Sequence, residues 1–212
     1  MNVKEKRLSD YKKGKAVEQK FIDLLFKLGG FNIKESLREE DRLEGWDLKI
    51  TNVSINNSYP DLIDKKIDVK GIKGGEYNWV EIVGYSSNHQ KLGWLLRGLS
   101  DYLALERSEE YGNDFVIIKK EDIKEFIFNK IPLLKKYHDF ALEHSSGDHQ
   151  KYEMFFLLKI LSCWGEFEFV DHQEDSLYEK VYSRPQYDHK PDMITRIKNS
   201  DLEELAIYKI KK

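Results

Sequence analysis

Residues Lys66-Ile67-Asp68-Val69-Lys70-Gly71 constrain this chain more than any other stretch. Polar and apolar residues alternate through it, which is the period of a half-buried strand. Successive strand side chains point to opposite faces, so Ile67 and Val69 share one face while Asp68 and Lys70 share the other. A fold that takes up this strand must bury the apolar face. It must also hold an acid beside an ammonium group on the reverse, which is costly in a dry setting unless something uses the pair.

The rest of the chain supplies a setting. Val17, Phe21, Leu24, Leu25 and Leu28 recur at three- and four-residue spacing and predict a helix over Lys15 to Leu28, stopped by Gly29-Gly30. Phe31 to Leu37, Trp46 to Ile50, Lys65 to Ile72 and Tyr77 to Tyr85 read as strands, with Arg38 to Glu44 a charged connection and Asn52 to Pro60 a loop. Lys91 to Leu99 reads as a short helix interrupted by Gly93 and Gly98. Strands over Asp101 to Glu106 and Asp114 to Lys119 follow, then helices over Glu121 to Phe128, Pro132 to His144 and Tyr152 to Trp164. Asp171 to Pro191 reads as irregular. Met193 to Ile197 reads as a strand leading to a short helix, with Ser200 as its cap and Glu203 completing a capping box.

This order predicts an α/β fold: a mixed central β-sheet with helices on its faces and a smaller C-terminal helical segment. Ser145-Ser146-Gly147-Asp148 is the natural place for a change of composition, so residues 1–144 form the expected core and 145–212 a segment packed on it, one domain overall.

A net charge of −3 over 212 residues excludes a uniformly basic coat protein but allows a local basic face. Lys4, Lys6, Arg7, Lys12, Lys13, Lys15 and Lys20 outweigh Glu5, Asp10 and Glu18 at the start of the chain. They read equally as a solvated terminus or as an arm that contacts phosphate. The single cysteine, Cys163, excludes an internal disulfide and argues against a cysteine-based zinc site. No apolar run approaches membrane-spanning length, so the chain reads as cytoplasmic with no membrane partner. The six histidines lack metal-binding spacing and read as surface or locally satisfied groups.

Two strands joined by a loop bring Asp47 near Asp68. That places two carboxylates and Lys70 at one end of a sheet, with Glu18 at the polar edge of the preceding helix. Hard oxygen donors suit Mg²⁺ or Mn²⁺, and the Val69 carbonyl would add a third ligand. Lys70 can orient or deprotonate water, or stabilise charge on phosphorus. Asp47 is the preferred upstream acid because it lies in a strand pattern. Asp61, in Pro60-Asp61, is the alternative, and Glu81 on the following strand reads as structural. Lys73, Lys91 and Arg97, with Lys119 and Lys120, are candidate contacts to a nucleic-acid backbone. Trp79, Trp94, Tyr77, Tyr85 and Tyr102 read as core before they read as base-stacking groups.

Across residues 15 to 120, the helical Glu18, the strand-borne Asp47, the Asp68-Val69-Lys70 signature, Gly71 and the later Ser100-Asp101-Tyr102-Leu103 resemble the PD-(D/E)XK nuclease superfamily, the fold of many restriction enzymes and junction resolvases. The resemblance implies an αβββαβ core and Mg²⁺-dependent hydrolysis of DNA phosphodiesters. It implies Asp47, Asp68 and Val69 at the metal, Glu18 joining them, and Lys70 in catalysis. It also allows a homodimer. An RNA-directed nuclease and a nucleic-acid- or protein-binding module without catalysis are the competing expectations.

Overall fold

The computed structural model describes residues 3–29, 31–53, 59–71, 77–86, 89–107, 114–167, 169–170, 181–184 and 192–211. The chain forms two units that interleave in sequence. The first comprises Met1–Gly75, Gly98–Lys120 and Ser200–Lys212, and the second Glu76–Arg97 and Glu121–Asn199.

In the first unit, helix α1 (Val3–Leu28) is anchored by its C-terminal half, where Phe21, Ile22, Leu24 and Leu25 are buried. It begins at Val3, well before the start at Lys15 that the apolar spacing predicts. Strand β1 (Phe31–Glu35) follows, then helix α2 (Arg38–Glu44). The sequence suggested only a charged connection here, since α2 lacks an apolar stripe. It is held by its ends: the Glu40 carboxylate accepts the Leu37 N–H at 2.8 Å, and the Gly45 N–H donates to the Asp41 carbonyl at 3.0 Å.

Strands β2 (Leu48–Val53), β3 (Lys66–Lys70), β6 (Tyr102–Glu106), β7 (Phe115–Lys119) and β11 (Tyr208–Ile210) complete a six-stranded mixed sheet in the order β1-β2-β3-β6-β7-β11. Strands β1, β2 and β3 run antiparallel, and β3 pairs with β6 in parallel. The α1 face of this sheet is closed by Phe21, Leu25, Leu48, Ile50, Ile67, Val69, Ala104, Phe115, Ile117 and Ile210 in one apolar cluster. At about 25 cal/mol per Å² of buried apolar surface, this cluster dominates the stability of the unit. Helix α6 (Asn199–Leu205) begins one residue before Ser200, directly from the preceding strand, so Ser200 is not its cap.

In the second unit, β4 (Tyr77–Ser86), β5 (His89–Leu92), β8 (Phe169–Val170), β9 (Val181–Arg184) and β10 (Asp192–Lys198) form a separate sheet in the order β5-β4-β10-β9-β8. Part of the expected irregular tail, 181–184, is therefore a strand, and Tyr77 to Tyr85 belongs to this sheet instead of the central one. Helices α3 (Lys120–Lys130), α4 (Pro132–Ser145) and α5 (His149–Ser162) follow the predicted spacing closely. Asp148 caps α5, accepting the Lys151 N–H at 3.0 Å.

The helix expected over Lys91 to Leu99 does not form. Lys91 and Leu92 end β5, and the Gly93 N–H donates to the Ile82 carbonyl at 2.7 Å. A Cβ at Gly93 would lie 2.1 Å from the Glu81 carbonyl oxygen, so only glycine allows that approach. Gly98, in the first unit, has φ +85°, and a Cβ there would meet the Glu44 carbonyl oxygen at 2.4 Å. The neighbouring Leu99 N–H donates to that same carbonyl at 2.5 Å. Gly98→Ala should therefore destabilise the protein by about 1–3 kcal/mol through strain and displacement of α2. A thermal melt beside the parent checks this, and an unchanged midpoint would contradict it.

Candidate active site

The register between β2 and β3 builds the site. Leu48 faces Ile67 across the ladder, and both side chains enter the core. One residue before Leu48, the Asp47 side chain meets that of Asp68, the residue after Ile67. Asp47 precedes the first residue of β2 but keeps the ladder going: its N–H donates to the Ile67 carbonyl at 2.9 Å, and its carbonyl accepts the Ser36 N–H at 2.8 Å. Helix α2 and Gly45 deliver it there.

Asp47 Oδ2 accepts the Val69 N–H at 2.7 Å. A strand residue projects its N–H and C=O toward the same neighbour. The Val69 carbonyl thus faces the Asp47 side of β3. Lys70 Nζ donates to Asp68 Oδ1 at 2.5 Å, two residues along the same face. Asp47 is 8% exposed and Asp68 4%, whereas the Lys70 side chain is 32% exposed and reaches solvent. Glu18, on α1, forms a close ion pair with Lys15.

The electrostatics tie these groups together. Burial pushes the Asp47 carboxyl up, the Asp68 charge adds to it, and a hydrogen bond between the two carboxyl groups favours a proton on Asp47. Lys70 and the Val69 N–H oppose the rise without cancelling it, and the pKa reaches about 7. Glu18 is also raised, first by burial and then by the Asp47 charge, against the pull of Lys15. Burial alone would lower the Lys70 ammonium, but Asp68 and Asp47 outweigh it and the net shift is upward. Glu18, Asp47, Asp68, Val69 and Lys70 are thus brought together, with more negative than positive charge among them.

Asp61 is engaged elsewhere. It lies in a 3₁₀ turn, Pro60–Leu62, and its Oδ2 accepts the Tyr208 hydroxyl at 2.8 Å. Neither Lys15 nor Tyr208 was singled out for the site from sequence. The three-residue step from Lys15 to Glu18 was a readable signal, whereas Tyr208 lies 147 residues from Asp61 and left none.

The candidate backbone-contacting residues are spread over several elements. Lys91 and Arg97 belong to the second unit, where Lys91 pairs in register with Gly84 and the Arg97 N–H donates to the Gly93 carbonyl. Glu81 lies on β4 of that unit. Lys119 is exposed at the end of β7, while Lys120 is buried, with Nζ 3.4 Å from the Gly98 carbonyl oxygen. Lys73 lies outside the described residues.

Among the described residues, no group of three or more His, Cys, Asp or Glu side chains is arranged to hold a metal ion. The Asp47 and Asp68 carboxyl groups meet, and they and the Val69 carbonyl are hard oxygens of the kind that suit Mg²⁺ with water completing its shell. A buried carboxyl raised by a neighbouring carboxylate is also what a divalent cation would relieve. The residues present therefore fit such an ion. No helix among the described residues is long and apolar enough to cross a membrane. Comparisons with protein-family models, curated proteins and solved structures return no match to this chain.

Proposed function

We propose that this chain is a divalent-metal-dependent nuclease that hydrolyses DNA phosphodiester bonds. One observation carries the reading: two buried carboxyl groups, Asp47 and Asp68, are held against each other beside a single ammonium, at a cost that folding alone does not require. The resemblance to the PD-(D/E)XK nucleases supports it, since Glu18, Asp47, Asp68 and Lys70 are the positions that resemblance singles out. The sheet order supports it in part. Strands β1, β2, β3 and β6 adjoin in one sheet after α1, but the stretch between β3 and β6 holds two strands and a turn where the resemblance calls for a helix.

Asp47, Asp68 and the Val69 carbonyl would hold Mg²⁺ or Mn²⁺, with Glu18 able to join once it leaves Lys15. Bound there, the ion would polarise a phosphoryl oxygen and make a bound water more acidic. Hydrolysis adds the oxygen of water to phosphorus and releases one ester oxygen as a hydroxyl. Negative charge builds on the phosphoryl oxygens as the new bond forms. Lys70, whose charged form Asp68 and Asp47 favour, would meet that charge as an ammonium. The Val69 N–H fixes one oxygen of the Asp47 carboxylate, and the other would be the one offered to the ion.

A binding module without catalysis is the second reading, favoured by the lack of a three-acid group among the described residues. Plasmid cleavage separates the two. The purified chain should nick DNA with Mg²⁺ or Mn²⁺ and stop when the ion is chelated. Asp68→Ala and Lys70→Ala should each cut roughly 100-fold more slowly or worse. Metal-independent binding with no cut product would support the module instead, and faster cutting of RNA would move the substrate.

A further inference from the structure

We propose that the N-terminal half of α1 is a phosphate-tracking arm, which guides the backbone of a DNA duplex toward Glu18 and Asp47. The inference rests on the nuclease reading for its direction, because the arm leads to those acids.

Helix α1 is fixed to the sheet only from Val17 onward, where Phe21, Ile22, Leu24 and Leu25 enter the core. Just before it, Tyr11, Lys12, Lys13 and Gly14 are four consecutive exposed residues, so every side of the helix faces solvent there. A Cβ added at Gly14 would meet no heavy atom within 4 Å. The helix from Val3 to Gly14 is about 18 Å long at 1.5 Å per residue. A helix without an apolar face gains little from tertiary packing. The first twenty residues nevertheless carry seven Lys or Arg against three acids.

The charge is arranged along the helix. At 100° per residue, Tyr11, Lys15 and Glu18 fall on one stripe and Lys12 borders it, whereas Lys13 lies on the opposite side. Lys15 interacts with Tyr11, pairs with Glu18 and also senses the Asp47 charge. The stripe is thus continuous from an exposed aromatic, 60% accessible, to the acids of the site. Lys12 and Lys15, leading to a cluster of carboxyl groups, match a polyanion whose reacting phosphate must reach a metal. Tyr11 offers an apolar surface to a sugar or base edge beside it. A protein partner with an acidic face is the competing occupant. It would not explain why the cationic stripe runs into the acids instead of away from them.

The test uses the intact chain with a short fluorescent DNA duplex in Ca²⁺, read by polarisation over a salt series. Lys12→Glu and Lys13→Glu have identical net charge and occupy exposed positions on opposite sides of one helix. Lys12→Glu should weaken binding by about tenfold or more and flatten the dependence of log affinity on log salt. Lys13→Glu should leave both near the parent, and circular dichroism should show the same fold in all three. Equal effects of the two substitutions, no effect of either, or a parent that does not bind the duplex would each overturn the arm. Cleavage by the same preparations separates this from the nuclease reading. Face-dependent binding without cleavage would end the catalytic proposal and keep the arm. Cleavage with no difference between the variants would do the reverse.

Discussion

Asp47→Asn should melt about 10 °C above the parent protein in metal-free buffer above pH 7, and it should not cut DNA. The substitution is close to isosteric. The amide oxygen can still accept the Val69 N–H, and the amide nitrogen can donate to Asp68, where the parent places two acidic groups in contact. The gain comes from the carboxyl itself, whose pKa rises from 3.8 to about 7 on folding. A raised pKa means that the folded protein binds the proton more tightly than the unfolded chain. The stabilising contribution is complete below 3.8 and fades as pH climbs through about 7. By then the ionised group costs about 4 kcal/mol, which the amide does not. The advantage of Asp47→Asn should therefore vanish in melts near the lower value and be largest above the upper one. Mn²⁺ should raise the melting point of the parent but not of the variant, since only the parent keeps both carboxylates. A variant less stable than the parent above pH 7 would show that Asp47 is a structural acid.

Lys70→Met should do the opposite and destabilise the protein by about 3–5 kcal/mol, because it leaves Asp68 buried without its cation and removes the charge that moderates Asp47. The methionine keeps the aliphatic stem, so little packing is lost. Adding Asp68→Asn should return most of the stability, as the uncompensated charge is then gone. Chemical denaturation of the two single variants and the double variant forms a cycle whose coupling measures the pair. Additive losses would mean that Asp68 and Lys70 do not depend on each other, and the charge balance argued for the site would fail. Activity should be lost in all three, so stability and catalysis move independently across the cycle.

The parts legible from sequence were those decided locally. Phe21, Leu24 and Leu25 at helical spacing, and Ile67 and Val69 alternating with Asp68 and Lys70, fixed α1 and β3 because burial selects one period in each. The α/β class followed from their order. What failed depended on distant partners. Leu92, Leu95 and Leu96 are buried at a helix-like spacing, yet Gly93 lets backbone approach Glu81, and the segment becomes a strand and a turn. Strand β4 pairs with β10 across more than one hundred residues, so nothing near Tyr77 announced a second sheet. Helix α2 hid because charge at its ends, not an apolar face, supports it. Within the site, Asp68 and Lys70 are two residues apart and were plain. The contact of Asp47 with the Val69 N–H, and that of Asp61 with the Tyr208 hydroxyl, depend on distant partners that no local pattern announces.

Strand β11 has one more consequence. Ile210 seals the apolar cluster beneath the same sheet that carries Asp68, and Tyr208 to Ile210 pair with β7. During synthesis on the ribosome these residues leave the exit tunnel after all the others in that sheet. The nascent chain therefore spends most of its translation with an unfinished edge on the sheet and the acids not yet locked in register. A product truncated before Tyr208 would lack that edge of the sheet altogether.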